Sequence, residues 1–181
     1  VRPLIDRFAV PCRVALVVLS CTACSDAFDL PDGANAIVER VVDGDTIDAR
    51  FVVDGHAVDE RVRFIGVDTP ETKKPGSPIE CFGPEASART AELLPPGTPI
   101  MVHRDTEPRD DYGRLLGYVY RTSDGLFVNE TLLAEGFASK LAIGPNDRLA
   151  TRFTAVEADA REAGLGMWAS CFTDPTGSVT P

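Results

Sequence analysis

Two Asp-Gly pairs, Asp43-Gly44 and Asp54-Gly55, cut the stretch AIVERVVDGDTIDARFVVDGHAVDERVRFIGVD into three short runs rich in Val, Ile and Phe. Asp-Gly between β-prone runs is a strong tight-turn signal, because glycine accepts the positive φ such turns require. The stretch therefore predicts two strands within 36–55 and a third over 57–67, joined as an antiparallel meander. In the third, Val62 and Phe64 fall on one face and Arg61, Arg63 and Ile65 on the other. A short helix follows over 83–97. Pro84 stands near its start, Ala86, Thr90, Leu93 and Leu94 recur at helical spacing, and Pro95-Pro96-Gly97 stops it. Two further strands are predicted over 98–104 and 114–120, separated by the charged loop EPRDDYG. Helices then cover 129–136 and 146–164, with Asn146 as cap and Gly164 as stop. Five strands, with one helix between the third and fourth and more at the end, suit a five-stranded Greek-key barrel of the oligonucleotide-binding type with about three helices, mainly β with α.

The 181 residues suffice for one such domain. Residues 1–24 read as a secretory leader: Arg2, Arg7 and Arg13 precede the short apolar run VALVVLS and the small residues around SCTACSDA. That run is far too short to span a bilayer. Cys21 or Cys24 could carry a lipid, so the chain is expected to be secreted or attached to the cell envelope. The alternative is a buried N-terminal helix. A flexible tether over 25–35, the barrel domain over 36–172 and a disordered tail over 173–181 complete the organisation, and the chain is expected to act as a monomer. Two cysteines remain in the body, Cys81 and Cys171. In an exported chain an even pair suggests one disulfide, the alternative being two free thiols.

A net charge of −10 argues against broad electrostatic binding to nucleic acid, but leaves room for a local site that recruits a cation. There are two histidines, His56 in a turn and His103 at a strand end, and neither belongs to a readable triad or metal motif. No glycine-rich phosphate loop is present. Any chemistry falls to carboxylates, arginines and a metal, and three segments supply them. In DGDTID, Asp45, where it opens the second strand, shares the inward face with Ile47, Ala49 and Phe51, the alternative being that it is a turn residue; Asp43 falls in the turn. In RVRFIGVDTPET, Asp68 and Glu71 flank Thr69 and Pro70. That pattern also fits a helix start, with Asp68 or Thr69 as cap and Pro70 in the first turn. In RDDYGRLLGYVY, Arg114 opens a strand, where a solvated arginine would be equally ordinary. All three segments lie at strand ends beside turns, where a barrel's mouth gathers them. Two carboxylates and a backbone carbonyl make a hard-oxygen site suited to Ca²⁺, a third carboxylate can activate water, and two arginines can hold a phosphate. Together they would suffice for metal-assisted attack of water on a phosphodiester.

VVDGDTI, RFIGVDTPET, CFGPEAS and DYGRLLGYVY, in this order, resemble the motifs of the staphylococcal nuclease (thermonuclease) family, over about Ile37 to Trp168. The resemblance implies an oligonucleotide-binding barrel that cleaves DNA and RNA with Ca²⁺ and leaves 3′-phosphate ends. It implies Asp45 and Asp68 as the Ca²⁺ carboxylates, with Thr69 giving a backbone carbonyl. It implies Glu71 as general base, Arg63 and Arg114 as phosphate-binding arginines, and Tyr112 beside the bound nucleotide. Lys73 and Lys74 would add a positive lip for the substrate. The chain departs from the best-known members at Asp111, where they carry lysine, and in SKLAIGPND, which lacks their pocket tyrosines. A non-catalytic nucleic-acid or protein-binding module on the same barrel, or a structural envelope lipoprotein, are the alternative readings.

Overall fold

The computed structural model describes residues 30–72, 78–142 and 144–171. The leader, residues 25–29 of the tether, Lys73, Lys74 and the tail from 172 onward lie outside them.

The meander forms as its turns dictate. Strands β1 (Ala36–Asp43), β2 (Thr46–Val53) and β3 (His56–Phe64) pair antiparallel in sequence order. Asp54 and Gly55, with φ of 52° and 79°, make a two-residue turn between the paired Val53 and His56. The first turn sits one residue later than the Asp-Gly signal suggests: Asp43 pairs with Thr46, so the loop residues are Gly44 and Asp45. The predicted third strand is interrupted at Gly66 (φ 80°), where a Cβ would strike the Phe153 ring. Beyond it, β4 (Val67–Asp68) is a two-residue strand.

Helix α1 (Gly83–Leu93) buries Ala86, Thr90 and Leu93 and carries Pro84 in its first turn. Strands β5 (Pro99–His103) and β6 (Leu115–Arg121) close the barrel in the order β1-β2-β3-β6-β5, with β5 returning onto β1 and β3 running parallel to β6. Side chains fill the interior, as a barrel this small requires: Val38, Ile47, Val62, Phe64, Ile100 and Val119 are all essentially inaccessible. Asn35, at the end of the predicted tether, docks on β5, its amide both donating to the Val102 carbonyl and accepting the Val102 N–H.

Helices α2 (Val128–Ala134) and α3 (Ala150–Glu162) cover one end, and β7 (Ser139–Lys140) between them pairs with β4. Asn146 does not cap α3, which starts after Leu149. Its buried amide instead grips both the N–H and the carbonyl of Glu107, at 2.7 and 2.9 Å. A fourth helix, α4 (Met167–Ser170), adds one turn to the three expected. Met167 and Trp168 pack with Ala160, and Phe82 and Cys171 lean against them.

Cys81 and Cys171 are disulfide-bonded, with Cα atoms 5.9 Å apart and a sequence separation of 90. Closing a loop of that length stabilises by about 4–5 kcal/mol in the chain-entropy view. Cys81→Ser is expected to lower the unfolding free energy in urea by most of that amount, and an unchanged denaturation midpoint would show that the bridge carries no stability.

Candidate active site

The site begins at the β1–β2 turn. Gly44 leaves room for the Thr69 side chain, which stands 2.6–2.8 Å from where a Cβ would be. Its carbonyl accepts the buried Thr90 hydroxyl at 2.6 Å, so α1 holds the turn from behind. Asp45 is thereby pressed inward and is 6% exposed. A buried carboxylate must be compensated. Its Oδ2 accepts the Thr69 N–H at 2.9 Å and the Thr69 hydroxyl at 3.3 Å, and its Oδ1 accepts the Thr46 hydroxyl at 3.0 Å. Gly44→Ala should push Thr69 off Asp45. The expected result is a loss of about 1–3 kcal/mol of stability, read from urea denaturation. An unchanged value would contradict this packing.

Arg63 is the second buried charge, 5% exposed, and lies on β3 opposite Thr46 of β2. One terminal nitrogen donates to the Phe64 and Val67 carbonyls at 2.8 and 2.6 Å, which fixes the chain around the Gly66 turn. The other lies 3.1 Å from Asp45 Oδ2 and 2.9 Å from Asp68 Oδ1. A single guanidinium thus gathers both acids. Asp68 arrives from β4, paired with Ser139 of β7, and its side chain is half exposed. After it, Thr69–Thr72 enters no helix, so the helix-start reading of Asp68 and Thr69 is not realised. Glu71 Oε1 accepts the Thr72 N–H at 2.9 Å.

Arg114 stands just before β6, the strand that pairs with β3. Asp110 organises this loop: one carboxylate oxygen accepts the N–H groups of Tyr112 and Arg114 at 3.0 and 2.9 Å, and the other accepts Arg114 Nε at 2.6 Å. The Arg114 guanidinium lies 5.5 Å from the centre of the Tyr112 ring, which is 86% exposed.

Asp45, Arg63, Asp68, Thr69, Glu71, Tyr112 and Arg114 all line one cleft of about 400 Å³, with Asp43, Pro70 and Leu141. Every described residue that the sequence marked for chemistry is therefore brought together, except the disulfide pair, which does not line it. A neighbouring groove of about 770 Å³ shares Tyr112 and Arg114 and runs over the outer faces of β1–β3. Its arginines are already matched. Arg40 and Arg61 both bind Asp48, at 2.5 and 2.8 Å, and Arg109 beside it binds Glu60 at 2.6 Å. The smaller cleft is the one whose charges are buried and convergent.

The cleft is rich in negative charge. Burial, followed by the charge of Asp45, pushes the Asp43 carboxyl up to about 6. Asp68 is also raised, chiefly by burial, with Asp45, Glu80 and Glu71 adding to the effect and Arg63 opposing it. Among the described residues no three His, Cys, Asp or Glu side chains form a ready metal cage. The donors are nevertheless all oxygens, and Asp45 and Asp68 reach for the same positive group. Two carboxylates completed by a carbonyl and water suit a hard cation such as Ca²⁺ and do not suit Zn²⁺. The residues present fit the expected metal.

Three contributors escaped the sequence reading. Asp43, read as a turn residue, lines the cleft. Asp110 could have been found as an acid four residues before Arg114 across a tight loop. Thr90, on the buried stripe of α1, gave no chemical signal. Where the family's pocket tyrosines would fall, Leu141 lines the cleft, and the Lys140 amine turns away to the Thr154 hydroxyl at 2.8 Å.

The model of the family described as "Staphylococcal nuclease homologue" matches residues 61–170. The chain is 40% identical over 136 residues to a thermonuclease of Staphylococcus intermedius, an alignment covering 75% of this chain and 77% of that protein. It is also 40% identical over 135 residues to endonuclease YncB of Bacillus subtilis (strain 168), covering 74% of this chain and 61% of the relative. A third match, the SPbeta prophage-derived endonuclease YokF of the same organism, is 40% identical over 132 residues, which make up 43% of its length.

Proposed function

Because this chain belongs to the staphylococcal nuclease family and is a nuclease that hydrolyses phosphodiester bonds, we propose that it is an exported, Ca²⁺-dependent enzyme of low sequence specificity acting on DNA and RNA and leaving 3′-phosphate ends. The observation that supports this best is the single cleft in which Arg63 and Arg114 meet Asp45, Asp68 and Glu71.

In this reading Asp45, Asp68 and the Thr69 carbonyl hold the cation. When bound, it supplies positive charge that offsets charge growing on the phosphate oxygens. Arg63 from β3 and Arg114 at the start of β6 both face the phosphate, and their planar donors suit its oxygens better than an ammonium would. Both stabilise the transition state more than the ground state, because the charge they face increases as water attacks. Glu71 takes the proton of that water. The bond from phosphorus to the 5′ oxygen breaks, the departing 5′ oxygen takes a proton from solvent water to become a hydroxyl, and the phosphate stays on the 3′ side. Exposed Tyr112 offers a face and a hydroxyl to the adjacent nucleotide. Lys73 and Lys74, outside the described residues, are proposed to face the same polyanion. Export is supported by the leader-like residues 1–24 and by the disulfide, which forms and persists in an oxidising compartment. Attachment through Cys21 or Cys24 is one form that export can take.

End-group analysis tests this. After digestion of end-labelled DNA and RNA in Ca²⁺, fragments should carry 3′-phosphate and 5′-hydroxyl termini and resist polymerase extension until dephosphorylated. Fragments that extend directly, with 5′-phosphate ends, would overturn the assigned direction of cleavage.

A further inference from the structure

Glu71 lies in a segment with no ladder of its own, between Pro70, which has no N–H to donate, and Thr72. Its backbone is instead gripped by Glu80. The Glu71 N–H donates to Glu80 Oε2 at 2.9 Å, and the Glu71 carbonyl accepts the Glu80 N–H at 2.9 Å. Three residues on, Gly83 completes the contact: a Cβ there would lie 3.0 and 3.1 Å from the carbonyl oxygens of Pro70 and Glu71. Between these two contacts stands Cys81, bonded to Cys171 at the end of α4. Phe82, next to it, packs against the Met167–Trp168 cluster and lies 5.3 Å from the Phe137 ring.

We propose that Glu80 is a positioning residue for Glu71, and that the Cys81–Cys171 bridge braces the active site through it. The inference rests on the role given to Glu71 above. Residues 80–83 act as a template against which Pro70–Thr72 is laid, and the bridge ties that template to the helical end of the domain. Fixing both backbone groups of Glu71 fixes where its carboxylate enters the cleft. A displacement of about 1 Å at a reacting group can cost about 10²-fold in rate. Without the bridge, the template is joined to that end only by packing, and Glu71 is held less closely.

The test uses the full chain, a DNA substrate and saturating Ca²⁺, well below the melting temperature of each variant. Glu80→Ala should lower kcat by about 10-fold or more with little change in KM, and should speed hydrogen exchange at the Glu71 amide. Glu80→Gln retains an acceptor oxygen for that amide and should restore most of the rate, which a purely electrostatic role would not allow. The double variant Cys81→Ser, Cys171→Ser should lose rate in the same way, and adding Glu80→Ala to it should cost less than it does alone. In a Glu71→Gln background, Glu80→Ala should cost nothing further. Full kcat in both Glu80→Ala and the double cysteine variant, with Glu71→Gln slow, would overturn the positioning role and leave the role of Glu71 standing. A fast Glu71→Gln would overturn the role of Glu71 and this inference with it.

Discussion

Arg63→Lys is expected to slow cleavage by about 10²–10³-fold while leaving the barrel folded, the scale set by removing one preorganised donor from a transition-state site. The reason lies in how Arg63 is built in. Its two terminal nitrogens serve two carbonyls on one side and two carboxylates on the other, at 2.6–3.1 Å. A lysine keeps the charge but offers one point in place of a planar fork. Arg63→Ala goes further. It leaves buried Asp45 without its cation, and breaking a buried pair in this way costs about 3–5 kcal/mol, so loss of rate and loss of stability should arrive together. Arg114→Ala separates the two effects. Its side chain is 30% exposed and its partner Asp110 also has backbone N–H groups to accept, so the rate should fall by a similar factor with little change in the urea midpoint. Rates near wild type in both Arg63→Lys and Arg114→Ala would remove the arginines from the chemistry.

Glu71→Gln is expected to lower kcat by about 10²–10⁴-fold, the range a positioned general base contributes. The amide keeps an oxygen to accept the Thr72 N–H, as Glu71 Oε1 does, so the local backbone should not move. What it cannot do is take a proton from water. The loss should therefore appear in single-turnover rates with KM and metal affinity nearly unchanged. A Gln variant that turns over like the parent would assign the proton to another group.

The barrel was legible because its signals are local. The Asp54-Gly55 turn, the alternation in β2 and the helical spacing in α1 each depend on neighbours in sequence, and the structure keeps all three. The candidate site was legible for a related reason: Asp45, Arg63, Asp68 and Arg114 stand at or beside strand ends, with Glu71 three residues beyond one, and a closed barrel brings strand ends together. What escaped depends on contacts distant in sequence. The turn at Gly44-Asp45 shifts because Thr69 and Thr90 close on Gly44 from other elements. The β4–β7 pair joins two residues to two others more than seventy positions away, too short a run to announce itself. Asn146 has the composition of a cap, but its amide finds both backbone groups of Glu107 in a buried setting, where a doubly satisfied amide outweighs a single capping bond. Glu80 lies in a loop of no distinctive pattern, and only the fold shows that it meets Glu71.

The acidic character of the chain also finds a place. Net charge is −10, and the arginines of the outer face are largely paired with acids, as in Arg50 with Asp59 and Arg109 with Glu60. Such surface pairs add little to stability. They do leave attraction for a polyanion to the cleft and its arginines, so binding should be sensitive to ionic strength.

The most direct measurement is cleavage of a DNA substrate by the full chain with calcium added, with excess chelator, and with calcium restored after chelation. A site whose oxygen donors hold a required cation gives fragments in the first condition, none in the second and fragments again in the third. Undiminished cleavage in excess chelator would contradict a metal-assisted mechanism at Asp45 and Asp68.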